Sequence, residues 1–392
     1  MKKQKIIAKY IKVPAIKQID KINTWANIFQ KDAHLDSRHF YKGINAHEKL
    51  EQAAEKAKAD FGTGITFDGI FYYRYHPNKI PDKIPDPGDM AMHQGLALAT
   101  AVLMDDRELA DRLYLGSLKF IEKGYLVRGF NELGQPNLTP PSLDQLAGLM
   151  FGWTVYFKTY KPDIDTTVFD FLEDFIFKDN CRLKDFQGNY AKGMFSYDSP
   201  WLIDGDAAVM LAATALADYQ GKFEDLCDLG LSDLAEYGHV HFLWWIKWFS
   251  LNQNMLNLAT IYMLRESDFA LRGMQRLIKI TEGFGMPFFK LLYQYVTGYR
   301  FDLEQMEQEL YGYIIPCGLN QPDREGKFLW WKWYKTPISP RAQINSDWFP
   351  QRGNHERYNN NDPDLWSPPY DICYARHDLI FQYELLVSED LY

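Results

Sequence analysis

Four carboxylates stand where a reaction could use them. Gly88-Asp89-Met90-Ala91-Met92-His93 places Asp89 at the start of an apolar helical stretch, with His93 one turn later. Ser142-Leu143-Asp144-Gln145 places Ser142 as a cap and Asp144 in the first turn of another. Asp204-Gly205-Asp206 opens a third in the same way, and Glu132 hangs in a loop with no cap to make. Asp and Ser are preferred N-caps and the helix dipole favours a carboxylate there, so each residue has an ordinary structural use. Acids repeated at three such starts also suit paired-carboxylate chemistry. One carboxyl, held protonated, donates to a leaving oxygen while the other activates water or attacks, as in glycoside hydrolysis. Asp89 and Asp144 are the preferred acid/base pair, with Asp206 and Glu132 as alternates.

The segments around these acids mix rings with polar groups. The first holds Phe71-Tyr72-Tyr73-Arg74-Tyr75-His76, another His239, His241, Trp244, Trp245 and Trp248, and the last Trp330, Trp331, Trp333, Trp348, Arg357 and Trp366. A chain of sugars offers C–H faces to rings and hydroxyls to polar neighbours, which makes Tyr73, His93, Arg128, Trp201, His241, Trp245, Arg357 and Tyr374 candidate substrate contacts. The competing use of the rings is to pin long loops as satellite cores. A polysaccharide lyase is the alternative chemistry: β-elimination needs a Tyr or His base and a neutraliser for the uronate, and His239, His241, Asn252, Asn254, Arg341, His355, Arg357, Tyr370, Tyr374 and Arg376 offer both. A non-catalytic glycan-binding protein is the third reading.

Helical periodicity dominates the elements that must hold these residues. Apolar stretches alternate with amphipathic ones: Asp89–Val102 with Arg107–Lys123, Ser142–Tyr160 with Asp165–Phe177, Asp206–Tyr219 with Lys222–Tyr237, Gln253–Leu264 with Asp268–Glu282, and Phe288–Gly298 with Leu303–Tyr311. Leu50–Asp60 and Ile372–Leu386 supply the first and last members. An all-apolar helix is buried on every side, and a singly striped one faces solvent. Two concentric layers in six hairpins accommodate both kinds. The turn from each apolar helix is short, as at Asp105-Asp106, whereas most returns are long, as at 62–88, 124–141, 178–204, 238–251 and 312–369. Long ordered loops are usually functional, and here they should open at one end, at the N-termini of the inner helices. Short strands are expected only in Thr66–Tyr75 and His239–Trp245.

Composition narrows the classes. The 392 residues carry a net charge of −9 with no Lys/Arg stripe, which argues against nucleic-acid binding. Hydrophobic residues make up 46%, enough to fold rather than stay disordered. The longest apolar runs, Gly95–Met104 and Ala207–Ala217, fall short of the roughly 18–20 residues of a membrane span. Cys181, Cys227, Cys317 and Cys373 are scattered and read as reduced structural thiols. His239-Val240-His241 alone has metal-ligand spacing, so no metal and no cofactor is expected. Asp105-Asp106-Arg107-Glu108 reads as a solvated turn at the short-loop end. P-loop, GxGxxG and GxSxG patterns are absent from the sequence.

Six helical hairpins with acids in Gly88-Asp89-Met90-Ala91-Met92-His93-Gln94-Gly95 and Ser142-Leu143-Asp144-Gln145 resemble the six-hairpin (α/α)6-toroid glycosidase superfamily, over most of the chain from about residue 44. The resemblance implies an all-α toroid with its long loops at one end, and Asp or Glu catalysts near Asp89, Glu132, Asp144 and Asp206. The expected organisation is an N-terminal extension, 1–43, packed outside a catalytic domain, 44–392. The expected function is hydrolysis of an oligo- or polysaccharide. With no leader visible the expected location is the cytoplasm, although an extracellular or virion-associated protein is compatible with the same sequence.

Overall fold

The computed structural model describes residues 45–72, 74–75, 90–122, 124–131, 133–137, 139–161, 166–179, 181–191, 204–219, 248–281, 287–314, 330–331, 336–337, 373–374 and 377–388. The chain is all-α in character. The described helices are α1 (Ala46–Thr63), α2 (Met90–Leu103), α3 (Arg107–Leu118), α4 (Leu143–Tyr160), α5 (Thr167–Glu173, continued by a π-turn over Asp174–Lys178), α6 (Asp204–Ala217), α7 (Trp248–Arg265), α8 (Asp268–Thr281), α9 (Phe288–Thr297), α10 (Leu303–Ile314) and α11 (His377–Val387). Two antiparallel pairs of two-residue strands accompany them. β1 (Arg74–Tyr75) pairs with β4 (Cys373–Tyr374), and β2 (Trp330–Trp331) with β3 (Thr336–Pro337).

The split between apolar and amphipathic helices corresponds to a split in burial. In α2 every residue from Met90 to Val102 is buried, and in α4 all but Asp144 from Leu143 to Phe157. By contrast α3 buries one stripe through Ala110, Leu113 and Tyr114. The apolar helices pack in a closed sequence: α2 on α4, α4 on α6, α6 on α7, α7 on α9, α9 on α11, and α11 back on α2. A further contact joins α4 to α7 directly. The amphipathic helices lie against this set, α3 on α2, α5 on α6, α8 on α7 and α9, and α10 and α1 on α11.

Direction follows from contacts at the helix ends. Tyr219, just past α6, donates its hydroxyl to Phe157 O in the last turn of α4, at 3.2 Å. Arg265 at the end of α7 pairs with Asp218 at the end of α6. The C-termini of α4, α6 and α7 therefore share one pole. A Cβ on Gly148 would meet Met92, and one on Gly152 would meet Gly95, so α2 runs the same way. Turns from these helices to the amphipathic ones share a device: Asp105, Lys161, Glu266 and Gly298 all take positive φ, ending the helix with a left-handed residue.

Several expected boundaries shift. The first helix runs longer than Leu50–Asp60, and α7 starts before Gln253. In the last, expected over Ile372–Leu386, Cys373-Tyr374 is a strand because its backbone pairs with β1. Thr66–Tyr75 is a tight hairpin followed by β1 rather than a single strand. Cys181 is a buried thiol. Lys222–Tyr237, His239–Trp245 and the extension 1–43 lie outside the described residues.

Candidate active site

Three of the long connections meet, in their described parts, at the pole where α2 and α4 begin. Residues 124–137 cross the start of α2, where Ala91 N donates to Arg128 O at 3.1 Å and Phe130 N to Met90 Sδ at 3.4 Å. The preceding connection is held by Gln94, whose Oε1 accepts from Phe71 N and whose Nε2 donates to Gly69 O and Leu113 O, all within 2.8 Å. Tyr72 joins the two by donating to Asn131 O at 2.7 Å. Leu126 N donates to Lys184 O at 3.2 Å and Tyr125 meets Phe186 edge-on, which brings in residues 181–191. Through β1 and β4 the last long connection ends beside the first.

Three of these connections contain the same small hairpin. Bridges join Ile65 to Phe71, Phe130 to Pro136 and Lys184 to Tyr190. Inside each, a Thr, Asn or Asp stands three residues before a glycine: Thr66–Gly69, Asn131–Gly134, Asp185–Gly188. The glycines take φ of 82°, 72° and 80°, where a Cβ is unfavourable. Asn131 Oδ1 accepts from Leu133 N and Gln135 N, Asp185 Oδ1 from Gln187 N and Asn189 N, and Thr66 Oγ1 from Ile70 N, each within 3.0 Å. Side chains thereby satisfy the turn's own backbone. Within the last long connection the spacing recurs as Asp323–Gly326, outside the described residues. This period is hard to see in the sequence because each copy is four residues long and sits among unrelated rings. Several of those rings serve packing: Phe71 is fully buried, and Phe130 meets Phe120 edge-on at 4.9 Å.

Asp144 is the candidate acid whose side chain is described. Gln145 folds the first turn of α4 by accepting from Ser142 N at 2.8 Å, and the Ser142 hydroxyl donates to the Asp144 carboxylate. Asp144 is half-buried. Seven residues further along α4, on almost the same helical face, Phe151 meets Phe381 of α11 edge-on at 5.9 Å. α2 separates α4 from α11 in the packing sequence, and this face of α4 is turned toward α11. Asp144 stands on it, about 10 Å nearer the pole.

The other expected residues divide. His93 is fully buried on α2. Arg128 is at the pole and half-buried, with Nη1 3.4 Å from Pro140 O, so it ties one loop to the approach of α4. Asp206 lies in the first turn of α6 and Tyr374 in β4. Asp89, Glu132, Tyr73, Trp201, His241, Trp245 and Arg357 lie outside the described residues. Among the described residues, no three His, Cys, Asp or Glu side chains gather as a metal set.

The opposite pole carries a different polar cluster. Tyr156 donates to Asp111 Oδ1 at 2.5 Å, and Arg107 bonds Asp111 at 2.8 Å while lying over the Tyr160 ring. Burial first, then Asp111, pushes the Tyr156 phenol well above its ordinary value. These tyrosines stay protonated and clamp the α2–α3 turn to the end of α4. No protein-family model, no curated protein and no solved structure matches the chain.

Proposed function

We propose that this chain is a carbohydrate-active enzyme, a glycoside hydrolase built on an (α/α)6 toroid, with Asp144 as one of its two catalytic carboxylates. One observation carries the reading. Three long connections, the β1–β4 pair and a half-buried acid on the α11-facing side of α4 all meet at one pole. The closed packing sequence of six apolar helices supports the toroid, and the parallel run of α2, α4, α6 and α7 supports placing their N-termini around a common mouth. Asp206, in the first turn of α6, and Asp89, directly before α2, are the partners in this scheme. A partner carboxylate roughly 5–9.5 Å from Asp144 would complete the pair.

Hydrolysis is preferred to lyase elimination for a chemical reason. Elimination needs a neutraliser for the uronate, an amide or a cation. Asn252 and Asn254 on α7 and Arg128 at the pole are its candidates, but α4 and α6 bring acids rather than cations to their starts. Along α4 and α7, from the N-terminal end, the first Lys or Arg is Lys158 and Arg265 respectively, both in the last turn, and α6 has none. Among the described residues, no helix is long and apolar enough to cross a membrane.

The test is turnover of a glycan panel, with products read both as new reducing ends and as ultraviolet-absorbing double bonds. Asp144→Asn is expected to lower kcat by about 10²–10⁴-fold with the fold intact. Undiminished turnover would overturn the assignment. Double-bond products would move the reading to a lyase.

A further inference from the structure

The interior of the α4–α6–α7 seam carries polar groups with nothing to bond. Asn257 on α7 is fully buried, and neither its Oδ1 nor its Nδ2 has a hydrogen-bond partner. The hydroxyls of Thr260 on α7 and Thr154 on α4 are equally buried and unpartnered. Native interiors leave few such groups, and each asks for an explanation.

Helix geometry places them together. Successive residues turn by about 100°. Leu258 faces Gly273 of α8, and Tyr262, one turn on, lies on the flank of Tyr293 in α9. Asn257 therefore faces the other flank, toward α6, and Thr260 faces away from α8, toward α4. On α4, Gly148 and Gly152 face α2, Trp153 bonds Ser117 of α3, and Phe157 meets Tyr219 beyond α6. Phe151 points to α11. Thr154 occupies the sector left between Phe157 and Phe151, where α7 packs. Because the three helices are parallel, Thr154 and Thr260 lie near one level. Asn257 steps from there toward the pole of long connections, whereas Asn254, one turn before Leu258, lies on the α8 side.

We propose that this seam is a binding site for neutral hydroxyl groups, those of an uncharged sugar entering from the helix N-termini. Amides and hydroxyls each donate and accept, as sugar hydroxyls do, and Arg265 at the foot of the seam is already held by Asp218. The inference rests on the carbohydrate reading above and narrows it to neutral glycans.

Thermal melting of the full chain tests it, with cellohexaose, xylohexaose and maltohexaose as neutral probes and tetragalacturonate as the acidic one. In wild type, a neutral probe should raise the melting temperature and tetragalacturonate should not. Asn257→Leu should melt several degrees higher without sugar, since an unmet amide is gone, and should bind the neutral probe at least tenfold more weakly. Thr260→Val, nearly the same shape, should weaken binding severalfold with melting unchanged. If Asn257→Leu melts lower and both variants bind as wild type does, the seam holds structural water alone and the inference falls. Stabilisation by tetragalacturonate alone would also overturn it. If no sugar shifts wild type, the carbohydrate reading itself fails, and the inference with it.

Discussion

The α2–α4 contact and the α4–α6–α7 seam are both buried between parallel helices, yet they are made in opposite ways. Between α2 and α4 the backbones touch. A Cβ on Gly95 would fall 2.0 Å from Gly148 O, and one on Gly152 would fall 2.2 Å from Gly95 O. Shape alone specifies that contact, and no polar side chain is needed. Among its buried residues α6 carries the small Ala208, Ala212, Ala213 and Ala215, while α7 carries buried amides and hydroxyls. In the proposed reading the close α2–α4 contact supports Asp144, and the polar seam is where sugar hydroxyls are met.

Substitutions on the two sides should act differently. The largest effect is expected at Gly95→Ala, where backbone has no room to yield: a loss of about 3 kcal/mol or more in urea unfolding. A loss below about 1 kcal/mol would mean the two helices separate easily, and the contrast would weaken. Next is Asp218→Ala, which strands the largely buried Arg265 at the foot of the seam. Burial already pulls that guanidinium below its ordinary range. Removing its partner should cost about 3 kcal/mol, which the same unfolding series would report. Asn257→Leu should act with the opposite sign and add about 1 kcal/mol, since the orphaned amide is replaced by an apolar group of similar volume. Ala lowering stability on one side and Leu raising it on the other is the signature to look for.

The smallest effect lies away from both regions and serves as a control. On the outer layer His47 of α1 bonds Glu307 of α10 at 2.7 Å, and that carboxylate raises the imidazole above its ordinary 6.5. A raised folded value means the contact's contribution is fully present below pH 6.5 and disappears as pH climbs through the folded value. His47→Gln should therefore flatten a slight fall in melting temperature above pH 6.5 and leave both seams unchanged.

The alternation of fully apolar and singly striped helices is legible in the sequence, because burial on all sides leaves no polar face to hide. The long and short connections are legible too, since Asp105-Asp106 and its counterparts contain so few residues. What escapes is non-local. That Phe71 and Phe130 pack inward rather than line a cleft depends on Gln94 and Phe120, which are distant in sequence. His93 reads as a ligand contact because its spacing from Asp89 is one turn, but spacing does not tell which side of α2 lies against another helix. Asn257 gives a visible signal, a polar residue in an apolar stretch. That signal is weak on its own, because a single buried amide ordinarily finds a partner. The glycines of α2 and α4 read only as tolerated in a helix, and their meeting appears only when both helices are placed.

The most direct test of the central claim is a crystal structure of Asp144→Asn soaked with the neutral hexasaccharide that best stabilises the wild type. Sugar is expected at the pole of the long connections, with an oxygen of a glycosidic bond within about 3.2 Å of the substituted side chain at the start of α4. Sugar seated instead at the opposite pole, beside Arg107 and Tyr160, would contradict it.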